Sequence, residues 1–257
     1  MLETLLIVSV AFGASILTFF SGFGLGTLLL PVFALFFPIP AALMMTAVVH
    51  LLNNFFKLAL IGSHINVPVV VRFGLPAMIF AWLGSGLLIM FSGKAPLAEY
   101  LWLGATHEIT APGLLVGLLM IGFASSDLAA GRNSGFGPRW LPLGGALSGF
   151  FGGLSGHQGA LRSAFLVRCN LGKEGFVATG VCIACLVDLA RLSQYLPAWR
   201  KLAEGLPVDL LLVAVAAAFA GAVVGRRLLK KVSMLHVHRL VGVLLLLAGT
   251  SIAAGLI

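Results

Sequence analysis

Four charged residues stand inside otherwise apolar runs of this chain: Lys57, Arg162, Asp188 and Arg191. A Lys or Arg at the centre of a membrane helix is disfavoured by about 2.5–3.5 kcal/mol on insertion scales. One substitution would remove that penalty, so a residue kept there is a candidate for use. Three cations against one anion suit the binding of a small anion better than the breaking of a bond. Arg162, a few residues past a Gly-rich break, is expected at mid-depth. Lys57 and Arg191 lie nearer helix ends, where snorkelling to the headgroups is the competing reading. Asp188 stands one turn before Arg191 and can serve as its counter-ion.

Polar neighbours extend this set. His50, Asn53, Asn54 and Lys57 follow i, i+3, i+4, i+7 spacing and share one helix face, as do Asp188, Arg191 and Gln194. Both faces are expected to look into a common cavity. His50 and Asp188 are the titratable pair assigned to gating or proton coupling. Two glycine-rich breaks supply a second kind of anion contact: Ser21-Gly22-Phe23-Gly24-Leu25-Gly26 and Gly152-Gly153-Leu154-Ser155-Gly156-His157-Gln158-Gly159. A helix starting inside the membrane presents unpaired N–H groups with partial positive charge. Glycine lets a ligand approach that backbone. Gly24 and Gly156 are therefore candidate substrate contacts, with His157 and Gln158 adding side-chain donors.

Positioning these residues requires membrane helices. Of 257 residues 60% are apolar and 9% charged, and the mean hydropathy is +1.10. Soluble domains carry about 25% charged residues, so a soluble enzyme, a nucleic-acid binder and a disordered chain are excluded. Apolar spans fall at 3–20, 27–37, 41–62, 68–91, 107–126, 140–154, 158–168, 174–194, 207–229 and 239–256. The spans 27–37 and 158–168 are too short to cross alone. Each is expected to complete a discontinuous helix at its break, giving an all-α integral membrane protein of about eight transmembrane helices. Sliding the chain by 134 residues places Gly22 on Gly156, Asn54 on Asp188 and Lys57 on Arg191. Two repeated halves are expected, 1–130 and 131–257, forming one transport domain. Four crossings per half predict halves related in parallel.

The net charge is +8, from 16 basic and 8 acidic residues. With the N-terminus outside, the inner segments would hold Lys94, Arg168, Lys173, Arg226, Arg227, Lys230, Lys231 and Arg239. The outer ones would hold Arg72, Arg132, Arg139, Arg200 and Lys201. This bias places both termini outside. Glu3 stands where a signal peptide is basic, so residues 4–20 read as the first crossing. Cys182 and Cys185 form a CxxC within an apolar run and read as structural. No metal or cofactor is expected.

At the breaks the chain resembles a known group. Gly22-x-Gly24-x-Gly26 followed by Pro31 is similar to the first-half signature of the sulfite exporter TauE/SafE family. Gly152 to Ser163 resembles the matching second-half motif, departing from it in Gly-His-Gln-Gly where Gly-Gly-Gly is commoner. The resemblance covers nearly the whole chain. It implies export of sulfite or a small organosulfonate such as sulfoacetate, across a bacterial inner membrane. The partners implied are that anion and the lipid bilayer, with a homodimer left open.

Two other classes compete. Gly153-x-Ser155-Gly156 and His50-x-x-x-Asn54 resemble intramembrane serine protease motifs, with His238 as base. The repeat accounts for Ser155 without catalysis, since it falls on Ser21. An anion channel would need a continuous polar path, where a transporter needs an occluded site.

Overall fold

Prolines and glycines divide the apolar runs into helices whose ends they cap or bend. The computed structural model describes residues 2–21, 25–129, 136–203, 207–228 and 234–257. Among them are α1 (Leu2–Ser21), α2 (Gly26–Ala34), α3 (Ile39–Ile61), α4 (Val67–Phe91), α5 (Ala111–Ala129), α6 (Leu141–Ser155), α7 (Gly159–Leu166), α8 (Gly172–Ala203), α9 (Val208–Leu228) and α10 (Met234–Ala253). The described chain is thus mostly helical, consistent with an all-α membrane protein. By length and composition α3, α4, α8 and α9 can cross a membrane, and α1, α5 and α10 contain shorter apolar stretches. Pro76 cannot donate to the carbonyl of Arg72, and α4 widens into a π turn at Val70–Gly74. The linker Gly131 to Gly135 and the first-break residues Gly22, Phe23 and Gly24 lie outside the described residues.

One short sheet was not foreseen in the sequence. Strands β1 (Ala98–Trp102) and β2 (Ala105–Ile109) form an antiparallel hairpin, which takes only the first three residues of the apolar span 107–126. Tyr100 Oη donates to the Ala254 carbonyl at 2.6 Å, fastening the hairpin to the end of α10.

The second break does not continue a helix across the membrane. Gly156 takes a left-handed conformation, φ +77°, while its N–H closes α6 on the Gly152 carbonyl. The chain then turns back along α6. Ser148 Oγ donates to the Gln158 carbonyl at 3.0 Å, and the Phe165 ring covers Gly144, where a Cβ would overlap it. At the far end the Phe136 N–H reaches the Ala164 carbonyl, and Phe136 stacks on Phe165 with centroids 4.4 Å apart. Helices α6 and α7 are therefore a re-entrant hairpin, which corrects the expectation of one discontinuous crossing there. The reason is steric: glycines along α6 leave room for a returning chain. Both α1 and α6 end on a serine, Ser21 and Ser155.

Close packing fixes the helix directions. On α6, Gly145, Gly149 and Gly153 meet the backbone at Phe73, Ala77 and Ala81 in turn, so α4 and α6 run parallel along a small-residue seam. Gly221 of α9 meets Phe12 and Ser15 of α1 in the same manner. At the centre α3 and α8 run antiparallel: His50 meets Asp188 while, fifteen or so residues on, the Asn66 N–H donates to Thr179 Oγ1. Helices α5 and α10 are also antiparallel, Gly113 lying beside Ile252 and Gly242 beside Leu128. The central pair is the most enclosed, with 72% of the α3 span and 67% of the α8 span buried, against 39% for α4 and 44% for α9. Large apolar side chains such as Ile79, Trp82, Leu212 and Leu247 face outward, as lipid contact requires.

These directions sort the charges. One end of the bundle collects the ends of α3 and α9 and the starts of α4, α6, α8 and α10. Ile61, Ala178 and Ala222 pack together there. Arg72, Arg139, Arg168, Lys173, Arg226, Arg227 and Arg239 stand at that end. Lys94 follows α4 at the opposite end, where Arg200 and Lys201 close α8. The structure thus moves Arg72 and Arg139 to the basic end and Lys94 away from it, reversing three of the sequence assignments. Arg132, Lys230 and Lys231 lie outside the described residues.

Candidate functional site

The polar face of α3 predicted from its spacing is wholly inside the bundle: His50, Asn53, Asn54 and Lys57 are each at most 4% exposed. On α8, Asp188 and Arg191 are buried as deeply. The antiparallel crossing of these helices brings the two faces together. His50 Nδ1 donates to Asp188 Oδ2 at 2.5 Å, and Arg191 Nη1 donates to Asp188 Oδ1 at 3.4 Å. The Asn54 amide lies 3.3 Å from His50 Nε2 and donates to it, which suits a ring whose other nitrogen carries the proton. One carboxylate therefore ties the two helices and holds a histidine and an arginine. Ser15 Oγ donates to Asn53 Oδ1, linking α1 to the same face.

The hairpin α6–α7 brings the second set. Arg162, on α7, is 5% exposed, and its Nη1 donates to Gln158 Oε1 at 3.2 Å, one turn back. Arg162 stands in electrostatic reach of Lys57 and of Asp188. His157 is 3% exposed and donates from Nδ1 to the Ser155 carbonyl at 2.7 Å, which turns its ring toward the Thr27 backbone of α2. Pro31, four residues on, cannot donate to the Thr27 carbonyl. The His157 ring thus lies near the helix that follows the first break, its Nε2 without a hydrogen-bond partner.

The predicted site residues gather into two groups on either side of Asp188. Toward the basic end, Lys57, Arg162, His50 and Asn54 line a small cavity of about 30 Å³ together with Thr18, Leu25, Ser163 and Gly180. Toward the other end, Arg191 reaches the hairpin tip, where its guanidinium and Leu43 are the nearest neighbours of Gly156. Gln158 lies between, at the start of α7. Gln194, placed by spacing on the face of Asp188, sits instead beside Gly86 of α4. Neither Lys57 nor Arg191 snorkels: both are buried, at 3% and 1% exposure. Gly24 lies outside the described residues.

Three contributors escaped the sequence reading. Thr18 and Ser163 line the cavity, and Tyr195 is buried at 2% exposure one turn past Arg191. Tyr195 carried a signal, being one of only two tyrosines in the chain and at i+4 from Arg191. Thr18 and Ser163 carried none, because small hydroxyl residues are common in membrane helices.

Among the described residues no histidine ring bonds the Ser155 hydroxyl. Ser155 Oγ donates to the Phe151 carbonyl one turn back, and the His157 ring bonds the Ser155 backbone instead of its hydroxyl. His50 is engaged by Asp188, and the side chain of His238 lies outside the described residues. No group of three or more His, Cys, Asp or Glu suited to a metal ion occurs among the described residues.

Comparison with known proteins gives one match. The family model described as sulfite exporter TauE/SafE matches residues 7–252. No curated protein and no solved structure matches the chain.

Proposed function

The chain belongs to the sulfite exporter TauE/SafE family, whose model spans nearly all of it, and we propose that it exports sulfite or a similarly small sulfur oxyanion from a mid-membrane cavity. Membership makes it a membrane transporter of sulfur anions and not an enzyme. The observation that carries the finer reading is the cavity where buried Lys57 and Arg162 meet Asn54 and His50. Two cations beside one carboxylate leave a net positive site, which a bound anion neutralises. Small organosulfonates such as sulfoacetate present the same three oxygens.

The basic end is the cytoplasmic one, by the excess of Lys and Arg at that end. This puts both termini on the periplasmic side of a bacterial inner membrane. The anion then enters the Lys57–Arg162 cavity from the cytoplasm. An inside-negative potential contributes about 2.3 kcal/mol per charge per 100 mV toward efflux, so an anion leaves without a coupled ion.

The halves 1–130 and 131–257 are repeats related by inversion. The 134-residue register, the matching ends of α1 and α6, and the antiparallel pairs α3–α8 and α5–α10 support this reading. A re-entrant hairpin followed by three crossings is an odd count, as inversion requires. It replaces the parallel relation and the eight crossings that two discontinuous helices would give. Alternating access is a rocking of one half on the other about the His50–Asp188–Arg191 junction.

Equilibrium binding of labelled sulfite to purified protein tests the proposal. Saturable binding that Arg162→Gln weakens at least tenfold is expected. Wild-type affinity in Arg162→Gln and in Lys57→Gln would overturn the assignment of the cavity.

A further inference from the structure

Arg191 is 1% exposed, yet only its Nη1 has a partner, at 3.4 Å; Nε and Nη2 have none. A buried guanidinium is held by several acceptors as a rule, because each unpaired N–H loses its hydration without replacement. The neighbourhood repeats the pattern. Tyr195 Oη, 2% exposed and one turn further along α8, has no partner, nor does Gln158 Nε2, 1% exposed, past the hairpin tip. Gly156 fills the space before the guanidinium with no side chain: a Cβ there would touch Nη2 at 3.4 Å and Nη1 at 3.6 Å. Leu43 stands against the tip beside the guanidinium. Arg191 and Tyr195 stand further along α8 than Asp188, away from the Lys57–Arg162 cavity, with Gln158 between.

We infer that Arg191, Tyr195 and the Gly156 turn form a second station for the transported oxyanion, on the periplasmic side of Asp188. The inference rests on the transport reading above and extends it from one site to two. The Nε–Nη2 edge of Arg191 is a planar pair of parallel donors, matched to two oxygens of a pyramidal or tetrahedral anion. Tyr195 Oη supplies a third donor. Asp188 already occupies the remaining face through Nη1, so it separates the two stations and competes with an anion at either. An anion arriving from the Lys57–Arg162 cavity exchanges with the Asp188 carboxylate and passes to Arg191. The geometry calls for a small, compact oxyanion, because Leu43 and the Gly156 backbone stand against the guanidinium.

The test is the stoichiometry of sulfite binding to the purified, detergent-solubilised chain, by titration calorimetry or equilibrium dialysis. Wild type is expected to bind two sulfites. Arg191→Gln is expected to bind one, with the affinity of the Lys57–Arg162 site unchanged within threefold. Tyr195→Phe, which keeps shape and burial, is expected to keep two sites with one weakened about tenfold, and it decides the matter if Arg191→Gln fails to fold. A single wild-type site that Arg191→Gln and Tyr195→Phe leave untouched overturns the second station while leaving the transport reading standing. Absence of any saturable sulfite binding in wild type overturns the transport reading, and the second station with it.

Discussion

The two ends of the polar core use similar residues and differ in what surrounds them. Toward the basic end, Lys57 and Arg162 face each other across a cavity, with Thr18, Ser163 and Asn54 on its wall. Toward the other end, Arg191 is closed in by the hairpin tip, and the donors there lack partners where the first end has space. Asp188 stands between, bonded on one side by His50 and on the other by Arg191. The difference teaches that cations buried in one polar core can face a small cavity at one end and be closed in by backbone at the other.

The junction itself is the strongest way to break the comparison. Asp188→Asn leaves Arg191 without a counter-charge in the interior, and stability should fall by about 3–5 kcal/mol. A thermal shift measured in detergent checks this, and added sulfite should recover more stability in the variant than in wild type. If sulfite protects both equally, Asp188 does not compete with the anion. Next in size is Arg162→Gln, which removes charge from the cavity end alone. Anion affinity there should drop by about 2 kcal/mol, roughly thirtyfold, with the thermal midpoint without ligand unchanged or raised. Equal loss at both ends would collapse the distinction between them.

A smaller effect sharpens the closed end. Ser148→Ala removes the hydroxyl that holds Gln158 against α6, at about 1 kcal/mol. Hydrogen exchange should rise at residues 156–159 and stay constant along the cavity wall of α3. Uniform acceleration would mean that the hairpin tip is not an independent unit. The smallest effect is expected outside the core. His64 and Glu174 pair at 2.9 Å across the basic end, but both are about half exposed. Glu174→Gln should change stability by less than about 1 kcal/mol and leave sulfite affinity alone, as chemical denaturation and binding would show.

Much of the candidate site's packing was legible before the fold. The i, i+3, i+4, i+7 run from His50 to Lys57 named a buried face, and that face is buried. Lys57, Arg162, Asp188 and Arg191 stood out because a charge in an apolar run carries a large transfer penalty wherever the helix packs. The choice between snorkelling and burial for Lys57 and Arg191 was not legible. It turns on whether a neighbouring helix covers the residue, and α8 and α3 cover each other. Gln194 illustrates the limit from the other side: correct spacing on α8 still left it against α4, because two helices in contact share only part of a face.

The glycines at 144, 145, 149, 152 and 153 carried the least readable message. In sequence they could mark a flexible break or a packing seam. The structure uses Gly145, Gly149 and Gly153 as a seam against α4, and Gly144 and Gly152 as the bed for a returning α7. Which of these holds depends on what approaches each Cα, and a linear pattern does not contain that.

The sequence alone determined the solvent, the approximate helices and the four charges that need partners. Those follow from single-residue transfer free energies and short-range periodicity, which any arrangement of the chain must respect. Only the tertiary structure decided that the second break folds back, that α3 and α8 run antiparallel, and that the cations divide into two groups about Asp188. Those are outcomes of contacts between residues such as Gly144 and Phe165, or His50 and Asp188, separated by 21 or 138 positions. Such contacts exist only once the helices have chosen which faces to bury against one another.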